Sequence, residues 1–417
     1  MHVKKLRNRD WKLIEDRIEK RLGNWKGKLL SYGGRLVPLN SVLSSLPMFI
    51  LSFFEIPRGV LKKIEYFSHK IKYRLIKWPL ICQPKDQGGL GIQNLDIQNK
   101  CLLIKWLFKL CNEDGLWPDL LRNKYMKNKP LAEVEKKPRD SHFWKGLMRV
   151  KDQFLNLGRF KLVSGNELSF WVDIWLDNQA LKFKYPNLFS IVRKKHAAVA
   201  NVLSSSPLNI SFRRGLVGNK LLEWHNLVAS LVHVNLKEGT NIFTWGLRKT
   251  GSFTVRSMYR ALISNGTNMS QEIWRLKIPL NNKIFLWFLK KESESIQHLL
   301  FDCIYAQFLW RVIFITTGLM PPTNVVYLFG SWLKQGGSNL PWLLLTGAAA
   351  FCWALWLTRN GLTFNKCQSK IFLQVLFRGT HWLRFWAQLQ RTDNMKDDIV
   401  RICRSLESLA MGLFASY

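Results

Sequence analysis

The sequence is short of acid. It carries 28 Asp and Glu against 63 Lys and Arg, a formal charge of +35. Such an excess implies a polyanionic partner, most simply nucleic acid and otherwise an anionic membrane surface. Cysteine is sparse and odd in number, seven in all, and no Cys-x-x-Cys occurs. A disulfide scaffold is therefore excluded, and the thiols read as the reduced ones of a cytosolic or nuclear protein. Residues Met1 to Lys28 are charged throughout, without the apolar run of a secretion signal, and Asp10, Glu15, Asp16 and Glu19 argue against an acid-poor transit peptide. Repeats and low-complexity tracts are absent. The hydrophobic content, 47%, is that of a globular chain and excludes general disorder.

Catalytic patterns are missing as well. A polymerase holds two divalent ions over the reacting oxygens with paired aspartates at a strand turn. The one Asp-Asp in the chain, Asp397-Asp398, follows a polar stretch and precedes Ile399, Ile402 and Leu406 at helical spacing. It reads as a favourable helix N-terminus. No acidic cluster of the kind a ribonuclease H needs stands out. Neither Gly-x-Ser-x-Gly nor His-Glu-x-x-His occurs, and His196, His225 and His233 have no partners at ligand spacing. No catalytic residue is expected. One partial metal signal remains: His298 lies five residues before Cys303. That pair could supply half of a four-ligand zinc site, but the usual other half, a Cys-x-x-Cys, does not exist here. His298 and Cys303 are expected as a residual half-site without metal.

Three windows lack charge, 37–54, 312–333 and 335–358. A spanning helix needs about 20 mostly apolar residues. Asn40, Pro47, Pro321 and Pro322 interrupt the first two, and Leu340 to Leu357 is borderline, so all three are read as buried core helices. The first 80 residues hold 18 Lys/Arg against 6 Asp/Glu. Trp11, Ile14, Ile18, Leu22 and Trp25 form one helical stripe, Gly33-Gly34 a break, Leu39 to Phe54 a second helix and Arg58 onward a third. The third presents Val60, Ile64, Phe67, Ile71 and Leu75 inward, and Lys62, Lys63, Lys70, Lys72, Arg74 and Lys77 outward. Gln87 to Gly91 is a glycine-rich turn without phosphate-loop spacing. Helices are expected near 97–111 and 142–157, with a linker over 127–140. Two β-hairpins are expected, Phe160–Val163 with Leu168–Val172, and Asn241–Leu247 with Ser252–Val255. The remainder is helical and rich in tryptophan. Cations alternate with aromatics at Trp25-Lys26-Gly27-Lys28, Lys72-Tyr73-Arg74, Lys77-Trp78 and Lys182-Phe183-Lys184-Tyr185, a pattern suited to phosphate contact and base stacking.

Two strings, Trp25 to Leu36 and Asn40 to Pro47, together with Gln83 to Gly91, resemble the segment after the polymerase core of plant LINE-type (non-LTR) retrotransposon reverse transcriptases. Phe253-Thr254-Val255-Arg256-Ser257-Met258-Tyr259, Trp274, Ile278-Pro279 and Lys283 to Trp287 resemble the opening of the reverse-transcriptase zinc-binding domain. Ile296 to Cys303 followed by Trp310 resembles its close. Three parts of the family pattern are missing: the polymerase core before Met1, the stretch with the Cys-x-x-Cys after Lys291, and a short insertion near His69 to Tyr73. The resemblance implies a truncated element whose first region lies, like a thumb, against a primer–template duplex. A-form duplexes are gripped through phosphates and 2′-hydroxyls.

The expected fold class is α+β and predominantly helical. The expected division is a thumb-like basic helical region (1–80), a helical connection (81–158), a hairpin-containing middle (159–240), an internally deleted zinc-binding-like domain (241–312) and a helical C-terminal region (313–417). The expected function is binding of RNA, DNA or an RNA–DNA hybrid without sequence preference and without catalysis. The contact residues are Lys26, Lys28, Arg35, Lys62, Lys63, Lys70, Lys72, Arg74 and Lys77. No cofactor is expected, zinc being the parent family's, and the expected location is nucleus or cytoplasm. The alternative is a membrane-associated or structural helical protein with no nucleic-acid role.

Overall fold

The computed structural model describes residues 8–23, 32–69, 78–127, 129–263, 271–291, 296–336, 341–364, 372–390 and 392–415. They form a predominantly helical α+β fold with a single two-stranded sheet among them. The chain divides into two compact units. The first gathers Met1–Asn24, Ser41–His69 and Gln93–Asn265, and the second Trp25–Asn40, Lys70–Ile92 and Gly266–Tyr417.

In the first unit the helices Asn8–Gly23 and Arg58–His69 pack together, as their stripes predict. Trp11, Ile14 and Ile18 are buried on one and Val60 and Ile64 on the other. The helix Leu95–Asn112 is the centre of the unit. Asn94 caps it, its side chain accepting from Ile97 N, and Cys101, Ile104, Leu107 and Leu110 line its buried face. The helix His142–Leu155 packs against it through Trp144, Leu147 and Phe154.

Asn99, 2% exposed, has a structural task. Its Oδ1 accepts from Ile56 N at 3.0 Å, and its Nδ2 donates to Leu51 O at 2.6 Å and Phe54 O at 2.9 Å. Trp106, two turns further on, donates from Nε1 to Ser52 O at 2.9 Å. The irregular segment 51–57 thus has its backbone groups bonded by side chains of the central helix, which aims the start of the Arg58–His69 helix.

The expected hairpins are replaced by one long-range pair. Strand β1, Gly158–Lys161, runs antiparallel to β2, Ile242–Trp245, with Phe160 opposite Phe243. The first strands of both expected hairpins therefore pair with each other. Local spacing could not show this, because outside partners bond the outward-facing backbone. Phe160 N donates to Ile174 O, while Asn112 bonds both the N and the O of Phe243. The rings of Phe154, Phe160 and Phe243 then pack, with Phe243 4.3 Å from Phe154 and 4.9 Å from Phe160 between centroids.

Two further readings change. Part of the expected linker over 127–140 is packed: Leu131 and Val134 are buried, and Lys151 Nζ donates to Ala132 O and Val134 O, both at 2.9 Å, whereas residues 135–139 are exposed. Gly33-Gly34 lies in the first turn of the helix Tyr32–Ser45.

The second unit packs the helices Leu280–Lys291, Ile304–Thr317, Pro341–Phe364, Phe372–Ala387 and Asp393–Ala415 around a single apolar cluster. Pro341–Leu362 is long and apolar enough to cross a membrane by length and composition, and half of it is buried in the protein. A Cβ on Gly379 would lie 2.2 Å from the Phe351 ring, so only glycine lets these two helices approach so closely. Arg384 grips Glu407 with two bonds of 2.6 and 2.5 Å. The glycine turn at 88–91 is structural. Gly88 O accepts from Trp287 Nε1 at 2.8 Å, and a Cβ on Gly89 would overlap Gln83 O at 1.9 Å.

The first unit also buries an acid. Asp173 is 3% exposed and accepts from Ser169 N at 2.7 Å. Burial pushes its carboxyl up to about 7 from 3.8, with Glu133 adding to the rise while the Ser169 bond, Lys151 and Lys182 oppose it. The folded state therefore holds this proton more tightly than the unfolded chain. The resulting stability is full below the ordinary carboxylate range and is lost as pH rises through about 7. Asp173→Asn keeps an acceptor for Ser169 and removes the titration. The unfolding free energy of the parent relative to this variant should fall by about 1.4 kcal/mol per pH unit between pH 4.5 and 6.5. Parallel pH profiles in urea denaturation would contradict the assignment.

Candidate nucleic-acid interface

Of the expected contact residues, Lys62 and Lys63 lie together on the helix Arg58–His69, both exposed. Their roles differ. Lys63 Nζ is 2.9 Å from Glu15 Oε2, and that carboxylate's side chain is only 8% exposed. Lys63 therefore balances a charge the fold has taken from water. Lys62 lies one residue away, directed to solvent. Arg58 and Tyr66 stand four residues to either side of it, and residues at that spacing share a helix face. The exposed stripe is thus Arg58, Lys62, Tyr66, two cations followed by a ring.

Arg58 also lines a cavity of about 650 Å³ with Trp11, Phe54, Ile56, His142, Lys145 and Arg149. The rim carries the cations Arg58, Lys145 and Arg149 and one carboxylate, Glu55. Arg149 is paired with Glu55, and Lys145 Nζ donates to Pro138 O at 2.5 Å. Apolar groups, Trp11 and Ile56 among them, form the wall. Cations over an apolar wall suit a phosphate attached to something flat or apolar, as in a nucleotide. The segment bonded by Asn99 and Trp106 carries Phe54 to Ile56 into this cavity. Arg58, His142, Lys145 and Arg149 were not singled out from the sequence, because 84 to 91 positions separate Arg58 from the other three. Only the packing of the His142–Leu155 helix brings them together.

Arg35 is half-buried in the helix Tyr32–Ser45 and belongs to the second unit. Lys26, Lys28, Lys70, Lys72, Arg74 and Lys77 lie outside the described residues.

The half-site is formed as a single turn. Cys303 N donates to His298 O at 2.8 Å, and Cys303 opens the helix Ile304–Thr317. Cys303 is half-buried and its Sγ donates to Leu299 O at 3.2 Å, whereas the His298 side chain is exposed. No group of three or more His, Cys, Asp or Glu is gathered for a metal among the described residues. Two donors do not fit a structural zinc, which takes four. Asp397 and Asp398 are both exposed within the helix Asp393–Ala415, and Asp398 is 3.4 Å from Arg401. The helix begins four residues before Asp397, so Asp393, not the pair, occupies its first turn.

No family model matches the chain. An Arabidopsis thaliana protein named "Putative ribonuclease H protein" is 24% identical over 431 aligned residues, 86% of this chain. The alignment spans 65% of that relative's length. A second relative, an uncharacterized mitochondrial protein of Arabidopsis thaliana, is 26% identical over 144 residues, 32% of this chain and 93% of its own.

Two measurements follow. Lys63→Met strands the Glu15 carboxylate and should cost about 1–3 kcal/mol of stability. Lys62→Met should stay within about 0.5 kcal/mol of the parent. Equal losses in thermal unfolding would dissolve the distinction. Elemental analysis after mild chelation should find well under one zinc per chain, because a half-site lacks most of the binding free energy. One tightly held zinc, lost on Cys303→Ser, would reverse that reading.

Proposed function

We propose that the chain is a nucleic-acid-binding part of a retrotransposon reverse transcriptase, lying beyond the polymerase core and gripping RNA, DNA or their hybrid without sequence preference. The observation that carries the proposal is the pair of exposed cations Arg58 and Lys62 on one helix face, with Arg58 also lining a cavity together with Lys145 and Arg149. Cations so placed neutralise phosphates and release counterions, which needs no base reading. The LINE-type sequence strings and a relative named as a ribonuclease H protein support nucleic acid as the partner class.

Binding is the whole of the proposed activity. A polymerase centre presents its aspartates from a strand turn, whereas Asp397 and Asp398 lie along a helix, and one of them is drawn to Arg401. The apolar helix Pro341–Phe364 finds its partner within the protein, in the Phe372–Ala387 helix, which supports a core role over a membrane role.

Filter binding of single-stranded RNA and an RNA–DNA hybrid at two salt concentrations tests this. Dissociation constants near about 10⁻⁴–10⁻⁶ M at physiological salt are expected, with steep weakening as salt rises. Arg58→Ala with Lys62→Ala should lower the salt slope by about one to two. Primer extension with magnesium or manganese should give no product. Salt-insensitive retention would refute the binding, and extension abolished by Asp397→Ala would refute the absence of catalysis.

A further inference from the structure

The first unit holds a second concentration of cations that neither the resemblance nor the basic helix predicts. Arg248, Arg256 and Arg260 line one open cavity of about 620 Å³, together with Thr254 and Ser257. No Asp or Glu occurs between Glu238 and Glu272. We infer that these three arginines form a binding site for a phosphate group, distinct from the Arg58 cavity.

The bonding around the cavity supports this. Its hydroxyls are already engaged. Thr254 Oγ1 caps the helix Val255–Ile263 by accepting from Ser257 N at 3.1 Å. Ser257 Oγ donates to Thr254 O at 2.8 Å and accepts from Trp245 Nε1 at 2.9 Å. Arg248 is steadied by one bond, from Nη1 to Ser252 Oγ at 3.2 Å. Arg256 and Arg260 have no carboxylate partner among the described residues. A guanidinium offers five donors in a planar fork that matches phosphate oxygens.

Placement adds to the case. Arg256 and Arg260 are one helical turn apart on the same face, where like charges repel. Arg256 also stands in the first turn of its helix, where the helix dipole favours an anion and disfavours a cation. No acidic residue occupies that turn. The arrangement is unfavourable alone and becomes favourable around a dianion. Trp245, whose indole anchors Ser257, is 1% exposed in β2, so the site rests on a rigid element.

The phosphate could belong to a nucleic-acid backbone or to a small phosphate compound, and two assays separate these. Arg→Gln at all three positions keeps side-chain size and polarity. A control with Arg213→Gln, Arg214→Gln and Lys237→Gln removes the same charge from exposed sites elsewhere. Far-UV circular dichroism and melting confirm that each variant folds; single substitutions at Arg256 and Arg260 replace the triple variant if it does not. In the first assay, hybrid binding by the triad variant should weaken about tenfold or more at low salt, with the salt slope falling by two to three, while the control keeps the parent slope. In the second, pyrophosphate at matched ionic strength should raise the melting temperature of the parent and the control but not of the triad variant. Triad dependence in the first assay assigns the site to backbone phosphates, and in the second alone to a small phosphate. Dependence in neither overturns the inference even if the parent binds hybrid. Failure of the parent to bind any polymer sinks the proposed function instead, and the pyrophosphate assay still decides the site.

Discussion

The first unit depends on the buried amide of Asn99. Three backbone groups of segment 51–56 would be cut off from water beside the central helix without a partner, at about 1–3 kcal/mol each. One side chain bonds all three. Its geometry leaves the segment a single course, with Trp106 bonding Ser52 beside it. Arg58 begins its helix two residues after the last bonded group, so the direction of the basic stripe and the wall of the cavity both follow from that amide.

The same device recurs where the chain leaves regular structure. Asn112 bonds the free edge of β2, and Asn241 Oδ1 accepts from Val163 N and Gly165 N at 2.9 and 3.0 Å. Tyr259 OH accepts from Asn94 N at 2.8 Å. A two-stranded sheet is marginal by itself. Here the edge of β2 is closed by the Asn112 side chain, that of β1 meets the Ile174 carbonyl, and phenylalanine rings cover the face. In the second unit tryptophans do similar work, Trp310 Nε1 donating to Leu300 O at 2.8 Å and Trp332 Nε1 to Met320 O at 2.6 Å. An indole fills the core and bonds a stray carbonyl at once.

The cation excess has a structural consequence. With 28 carboxylates for 63 cations, most cations have no acid to meet. The carboxylates present hold particular geometry: Glu15 with Lys63, Glu55 with Arg149, Glu407 with Arg384. Among the described cations in no ion pair with a carboxylate are Arg58 and Lys62 on one helix and Arg256 and Arg260 on another. Repulsion within these groups disfavours them in the free protein and would be relieved by a polyanion.

Much of the helical architecture was legible in the sequence. The three- and four-residue spacing of Trp11, Ile14 and Ile18, and of Val60 and Ile64, defines faces that must be buried, and they are. The charge, the likeness to retroelement strings and the lack of a Cys-x-x-Cys are likewise properties of the chain as written. The pairing of β1 with β2 was not legible, because strand propensity is local while its partner lies some 80 positions away and is selected by Asn112 and by ring packing. Nor was the packing around Leu131 and Val134, where the carbonyls of Ala132 and Val134 are bonded by one distant lysine, Lys151. The sequence by itself determined how many cations the protein carries and which helix faces are apolar, since both depend only on residue identity and local period. Which cations share a cavity, and which are neutralised by a buried acid, was decided only by the tertiary structure, because electrostatic interaction depends on distance in space and not along the chain.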